Sequence, residues 1–211
     1  NLATAEDSED AYSRVAPWNE PNGSAKRLPE DWTFGVPAEN GLEFFGNSGY
    51  KAAFEKAVKV FEKAGGKKVT IHFTPFLEAA RLLYEGPWVF ERYDAVGKFI
   101  EEHPEEIHPV TKAIISPKTT PHPSAVFAGF HALQEKKKIA EREFSKVDII
   151  LTPTAGTTYK TAEVEANPIQ LNSNLGYYTN YMNLLDYSAL AIPAGAAKSS
   201  DPNVSEFPFG V

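Results

Sequence analysis

Lys68-Val69-Thr70-Ile71-His72-Phe73-Thr74-Pro75 decides the fold class. The first six residues alternate in polarity and include three β-branched side chains, which predicts a strand over 68–73. Thr74 then caps a helix, with Pro75 at its first position, where the missing N–H costs nothing. Working upstream, Asn47 or Ser48 caps an earlier helix whose apolar residues Ala53, Phe54, Ala57, Val58 and Phe61 recur at helical spacing. Gly65-Gly66 ends it. Before it, Trp32-Thr33-Phe34-Gly35-Val36-Pro37 is a short strand that stops at its proline. Strand, helix, strand, helix is the pattern of a layered α/β domain.

Downstream, the helix begun at Thr74 carries Phe76, Ala79, Ala80 and Leu83 and then meets Gly86-Pro87. A proline there lacks a donor and clashes with the preceding turn, so the helix breaks or kinks. Helical spacing resumes through Val89, Tyr93, Val96 and Ile100. Residues 103–123 are proline-rich and read as irregular; a long helix follows from about Ser124 to Phe144. Val147-Asp148-Ile149-Ile150-Leu151 is nearly all apolar, as in a strand covered on both faces. The loop Thr152–Thr158 lies at its C-terminal end, the edge where open α/β sheets place ligands. A polar loop, a helix around Tyr178–Leu185 and a second buried strand, Ser188–Pro193, complete the reading. Phe207–Val211 resembles the start of a further strand. Residues 1–31, broken by Pro17, Pro21, Asn22-Gly23 and Pro29, read as an extended surface connection. Residues 32–211 then form the α/β core portion of one domain. Both chain ends read as cut rather than finished.

The net charge of -7 and the absence of a basic stripe argue against nucleic-acid binding. The local run Lys136-Lys137-Lys138 shares its helix with Glu135, Glu141 and Glu143, as a solvated face does. Without cysteine there is neither a disulfide nor a thiolate metal site, and a reducing cytoplasm is permitted. No apolar run approaches the roughly 20 residues that span a bilayer. His103 and His108 are each followed by proline in an acidic stretch, so surface histidines are expected there rather than zinc ligands.

The nucleophile elbow Gly-x-Ser-x-Gly is missing, as are the dinucleotide and phosphate-loop glycine motifs. In Gly46-Asn47-Ser48-Gly49, Tyr50 stands where the last glycine belongs, and Ser48 reads as a capping residue. These patterns alone stop at an α/β domain.

Two stretches go further. Leu82-Leu83-Tyr84-Glu85-Gly86-Pro87-Trp88-Val89-Phe90-Glu91-Arg92-Tyr93 resembles a segment of the allophanate-hydrolysing branch of the amidase-signature family. Leu151–Tyr159, Glu163–Ile169, Leu171–Ser173, Leu175-Gly176, Tyr178–Asn180 and Asn183–Asp186 are similar to the C-terminal region of the same branch. Ala191-Ile192-Pro193-Ala194-Gly195 matches the wider family. The resemblance covers nearly all of the chain, including Phe34–Pro37 and Phe44–Gly46. It implies a mixed β-sheet core covered by helices and hydrolysis of allophanate to ammonia and carbon dioxide in urea breakdown. That chemistry uses a Ser–cis-Ser–Lys triad and an acyl-enzyme, with no metal or organic cofactor. The triad and its glycine- and serine-rich run lie upstream of the region this chain matches, so no catalytic residue is carried over and this portion alone is expected to be inactive.

Substrate binding does carry over. Allophanate is a carboxylate joined to a urea-like amide, and a planar guanidinium grips a carboxylate through two parallel hydrogen bonds. Arg92 and Tyr84 match the pair the resemblance implies for this. On a straight helix their separation of eight residues is roughly 12 Å, so the Gly86-Pro87 break is what lets both reach one ligand. Otherwise Tyr84 packs in the core and Arg92 pairs with Glu91 or Asp94. Thr154, Tyr178, Asn180 and Asp186 are pocket-shaping residues, caps or buried hydrogen-bonding groups; Trp88 reads as packing. Expected partners are the small anionic amide and the upstream half of the domain, without which apolar faces such as Val147–Leu151 stay uncovered. A urea carboxylase, fused or separate, and a homodimer are compatible with the resemblance. The alternatives are another amidase resembling the glutamine-dependent amidotransferase A subunit, and a non-catalytic binding module.

Overall fold

The computed structural model describes residues 7–13, 30–117, 122–199, 201 and 203–211. The chain divides into two units, 1–30 and 31–211. In the first, the described residues form turns, with the Asp10 carboxylate accepting from the Tyr12 N–H at 2.9 Å. Most of the expected connection over 1–31 lies outside the described residues.

The second unit is built on three parallel strands in the order β2-β1-β3: β1 (Thr33–Pro37), β2 (Lys67–Ile71) and β3 (Ile149–Ile150). A separate antiparallel pair joins β4 (Pro193–Lys198) and β5 (Glu206–Gly210). The α/β architecture is as expected, but parallel and antiparallel pairing lie in two sheets rather than mixed within one. Alternation along β1 sends Phe34 and Val36 to one face, where α1 (Ser48–Lys63) covers them with Phe54, Ala57 and Val58. Ile71 belongs to a second cluster with Phe73, Phe76, Ala79, Leu133, Tyr178, Tyr181 and Leu185. That cluster is made by α2 (Thr74–Glu85), α5 (Pro123–Phe144) and α8 (Asn180–Leu185).

The helix signals are largely realised. Asn47 caps α1 by accepting from the Tyr50 N–H at 3.0 Å, and Ser48 is the first helical residue. Gly65, at φ +92°, closes it in a conformation open to glycine. At α2 the cap is Phe73 rather than Thr74, with no side-chain bond, because Thr74 has already entered the helix beside Pro75. The lysine run is only partly the solvated face expected: Lys138 is exposed and Lys137 reaches Glu141 of the same helix at 3.9 Å, but Lys136 is half-buried and pairs with Glu78 of α2 at 2.5 Å.

Four expectations need correction. The 103–123 stretch holds a helix, α4 (Pro109–Ile115), because a proline at the first helical position starts a helix as readily as it ends one. The polar loop after 158 holds two short helices, α6 (Thr161–Ala166) and α7 (Pro168–Leu175). Neither buries a residue, so no apolar stripe marked them; Glu163 holds the start of α6 by accepting from the Lys160 N–H at 2.7 Å. β3 is shorter than the apolar run and only half-buried. Its ladder runs out where Pro153 has no N–H to give, although the Leu151 N–H still reaches Gly35 O at 2.8 Å. Finally, Ser188–Ile192 is not a buried strand: it is irregular and exposed, with Leu190 79% accessible, and the strand begins at Pro193.

At the other end of β3, the Asp148 carboxylate accepts from both the Thr33 N–H (2.7 Å) and the Thr33 hydroxyl (2.9 Å). Those bonds from Thr33 hold its carboxyl below the ordinary aspartate range. A depressed folded pKa stabilises above the unfolded value of about 3.9, and the gain is lost as pH falls through the folded one. Asp148→Asn should therefore lose less stability than wild type between about pH 5 and pH 2, read from unfolding midpoints. Parallel curves for the two proteins would show that Asp148 contributes nothing through its charge.

Candidate functional site

The break between α2 and α3 (Trp88–Glu102) falls at Gly86-Pro87. Gly86 is extended, and its N–H closes the last turn of α2 on Leu82 O at 2.8 Å. Pro87 then serves as the N-terminal cap of α3, where its fixed φ suits a helix start. Trp88 packs edge-on against Phe130 of α5, centroids 5.6 Å apart, a packing role as expected.

The turn folds Arg92 back over the end of α2. Its guanidinium carbon lies 5.3 Å from the centroid of the Tyr84 ring, and Nη2 donates to Leu83 O at 2.5 Å. The two residues thus meet across a separation that a straight helix would hold about 12 Å apart. Tyr84 is not in the core: it is 48% accessible, with Arg92 half-buried against it. Among the described residues Arg92 makes no ion pair with Glu91, Asp94 or any other carboxylate. A guanidinium has five donors and the Leu83 carbonyl takes one. A cation over a ring at an exposed site contributes about 0.5–1 kcal/mol, enough to bias its orientation while leaving its edge for an anion.

The weaker candidates separate. Tyr178 is fully buried in the second cluster, with its hydroxyl clamping one residue of the 41–46 loop. It accepts from the Glu43 N–H at 2.7 Å and donates to Glu43 O at 2.9 Å. Burial pushes this phenol well above its ordinary pKa, so it stays neutral and able to donate. Tyr178→Phe leaves two backbone groups unpartnered and should cost about 1–3 kcal/mol of stability, measured by urea unfolding. A loss within error of zero would show that the clamp is dispensable. Asn180 opens α8, and Asp186 ends it in the left-handed conformation at φ +58°. Thr154 is exposed, its N–H bonded to Gly210 O at 3.0 Å. None of the four contacts the Tyr84–Arg92 pair in the bonds and ring contacts described.

Thr154 instead faces an apolar groove of about 410 Å³, also lined by Ile149, Leu151, Tyr187, Leu190 and Ile192. It sits beyond the C-terminal end of β3, where the loop after the apolar run predicts a ligand edge. Sequence reasoning passed over Tyr187, whose hydroxyl is buried there with no hydrogen-bond partner among the described residues and whose pKa burial pushes up to about 12. Nothing in its spacing distinguished it from the other tyrosines of the segment. A second groove, about 440 Å³, runs between α1 and the sheet over Phe44, Phe54 and Val58. Neither groove is lined by Tyr84 or Arg92. His103, Glu105 and Glu106 come within 4.8 Å of one another at the end of α3, closer than the irregular reading allowed. All three lie toward solvent, and His103 pairs with Glu106 at 3.4 Å. No helix among the described residues is long and apolar enough to cross a membrane.

Similar proteins bear on this arrangement. The chain is 34% identical over 188 residues to a urea amidolyase of Lachancea kluyveri, and 31% identical over 196 residues to the urea amidolyase of Saccharomyces cerevisiae. These alignments cover 88% and 92% of this chain but 10% of each relative, so the chain spans about a tenth of their length. The structure superposes on a solved allophanate hydrolase of Kluyveromyces lactis with a TM-score of 0.86 at 31% identity, over 98% of this chain and 32% of that one. The family model described as amidase matches residues 2–211, and the chain belongs to the amidase family.

Proposed function

We propose that this chain is the substrate-binding portion of an enzyme that hydrolyses allophanate, with Arg92 and Tyr84 gripping the carboxylate of the substrate. The observation that carries the reading is the guanidinium of Arg92 folded over the Tyr84 ring by the broken helix, unpaired with any protein carboxylate among the described residues. A planar fork offers a carboxylate two parallel bonds, and the neighbouring phenol offers a third. The similarity to proteins named urea amidolyase and allophanate hydrolase supports the choice of anion.

The chemistry that fits is acyl transfer. A serine attacks the amide carbonyl, backbone amides hold the oxyanion, ammonia leaves, and water frees the product from the acyl-enzyme. The serine, its serine and lysine partners and the oxyanion amides belong to parts of the protein outside this chain. Arg92 contributes by fixing the far end of the substrate, which turns an encounter into a positioned attack. The reading places the enzyme in the cytoplasm, next to or fused with a urea carboxylase that supplies allophanate.

Ammonia release by the intact protein tests this. Allophanate should be turned over and glutamine should not. Turnover of glutamine alone would assign the chain to a glutamine-dependent amidase, and binding of malonate without turnover of either would leave a binding module.

A further inference from the structure

We propose that Gly129 is a positioning residue for this anion site: by carrying no side chain it lets α5 seat against the Pro87 ring, and that contact sets the angle of the α2–α3 break. The proposal rests on the reading of Arg92 and Tyr84 as the anion grip. Gly129 lies inside a 22-residue helix, where glycine is among the poorest residues available. A Cβ at 129 would stand 2.4 Å from Pro87 Cδ and 2.5 Å from Cγ, but 3.8 Å from Cβ. The obstacle is thus the rigid ring alone, which cannot rotate aside.

The surroundings decide which part moves. Before the break, α5 is tied to α2 by the Lys136–Glu78 ion pair at 2.5 Å and by shared core residues of the second cluster. After the break, α5 meets α3 through Pro87 and through Phe130 on Trp88. The helix is a splint across the turn. A methyl group at 129 leaves the heavily packed α2 side in place and pushes the start of α3 away. Arg92, one turn further along α3, is carried off the Tyr84 ring and off Leu83 O.

The test uses the intact protein as wild type, Gly129→Ala, Pro87→Ala, the double variant and Arg92→Ala. Malonate affinity is read by calorimetry, KM and kcat on allophanate by ammonia release, and folding by thermal unfolding. Gly129→Ala should weaken malonate binding and raise KM by about tenfold with kcat little changed, since small misplacements of a positioning group are costly. A structural role elsewhere in α5 would lower the unfolding temperature without that KM-against-kcat split. Replacing Pro87 by alanine deletes Cγ and Cδ, so the double variant should bind malonate as Pro87→Ala does, the two changes being strongly non-additive.

If Gly129→Ala does not fold, a double variant that folds and binds like Pro87→Ala still supports the contact, and one that fails equally overturns it. Additive losses, or wild-type binding by Gly129→Ala while Arg92→Ala is impaired, overturn the role of Gly129 alone. Indifference of Arg92→Ala overturns the anion reading beneath it.

Discussion

Arg92→Ala is expected to weaken malonate binding by the intact protein by about a hundredfold, or about 2.7 kcal/mol, at the lower end of the cost of deleting one partner from a hydrogen-bonded charge pair. The lower end applies because Arg92 is half-buried rather than enclosed. The loss should appear in KM for allophanate more than in kcat, since the guanidinium holds a group that does not react. Arg92→Lys separates charge from geometry. It keeps the cation but gives up the planar fork and the stacking on Tyr84, so it should recover only part of the affinity. Tyr84→Phe keeps the ring under the guanidinium and removes one donor, and its loss should be the smallest of the three. A ranking in which Tyr84→Phe is worse than Arg92→Ala would reverse the roles assigned to the pair.

The largest effect on stability should come from Phe76→Ala, about 3–5 kcal/mol, as for other fully buried aromatic truncations. Phe76 is completely buried on α2. Its ring stacks on Phe73 with centroids 5.2 Å apart, and it meets Tyr181 edge-on at 5.2 Å and Tyr187 at 6.4 Å. Deleting it leaves a void bordered by three rings and α5, none of which can collapse without disturbing the helix that carries Tyr84. Urea unfolding followed by tryptophan fluorescence measures the loss. Phe76→Leu should recover most of it, because shape and volume are better kept. A cost below about 1 kcal/mol for the alanine variant would mean that the second cluster is not packed as described.

What was legible in the sequence follows from which physical signal each element sends. β1, α1, α2 and α5 announce themselves because their apolar residues repeat at the period of the structure and their ends carry caps, glycines or prolines. α6 and α7 send no such signal, since a helix that buries nothing has no apolar stripe to read. Ser188–Ile192 sends a misleading one. Its composition is that of a buried strand, yet composition records only what a segment is suited to meet, and no described part of the chain covers Leu190. Pro153 was visible too, but the apolar run before it outweighed the missing donor that cuts β3 short.

The site divides in the same way. The break at Gly86-Pro87 is legible from elementary sterics, and it is what carries Arg92 onto Tyr84. The resemblance chose those two residues; spacing alone would have kept them two turns apart. Tyr178 shows the limit of such carry-over. It belongs to the matching stretch, but its position in the fold makes it a clamp on Glu43, and its hydroxyl is engaged there by both a donor and an acceptor. Gly129 is legible only in three dimensions, because its partner Pro87 lies in the break between two other helices, 42 residues earlier in the chain.

A crystal structure of the intact protein with malonate bound tests the central claim most directly. One carboxylate of the ligand should lie within about 3 Å of two guanidinium nitrogens of Arg92 or of one nitrogen and the Tyr84 hydroxyl, the span of a charge-assisted hydrogen bond. Malonate held by other residues, with Arg92 still turned to Leu83 and open to solvent, would contradict the account.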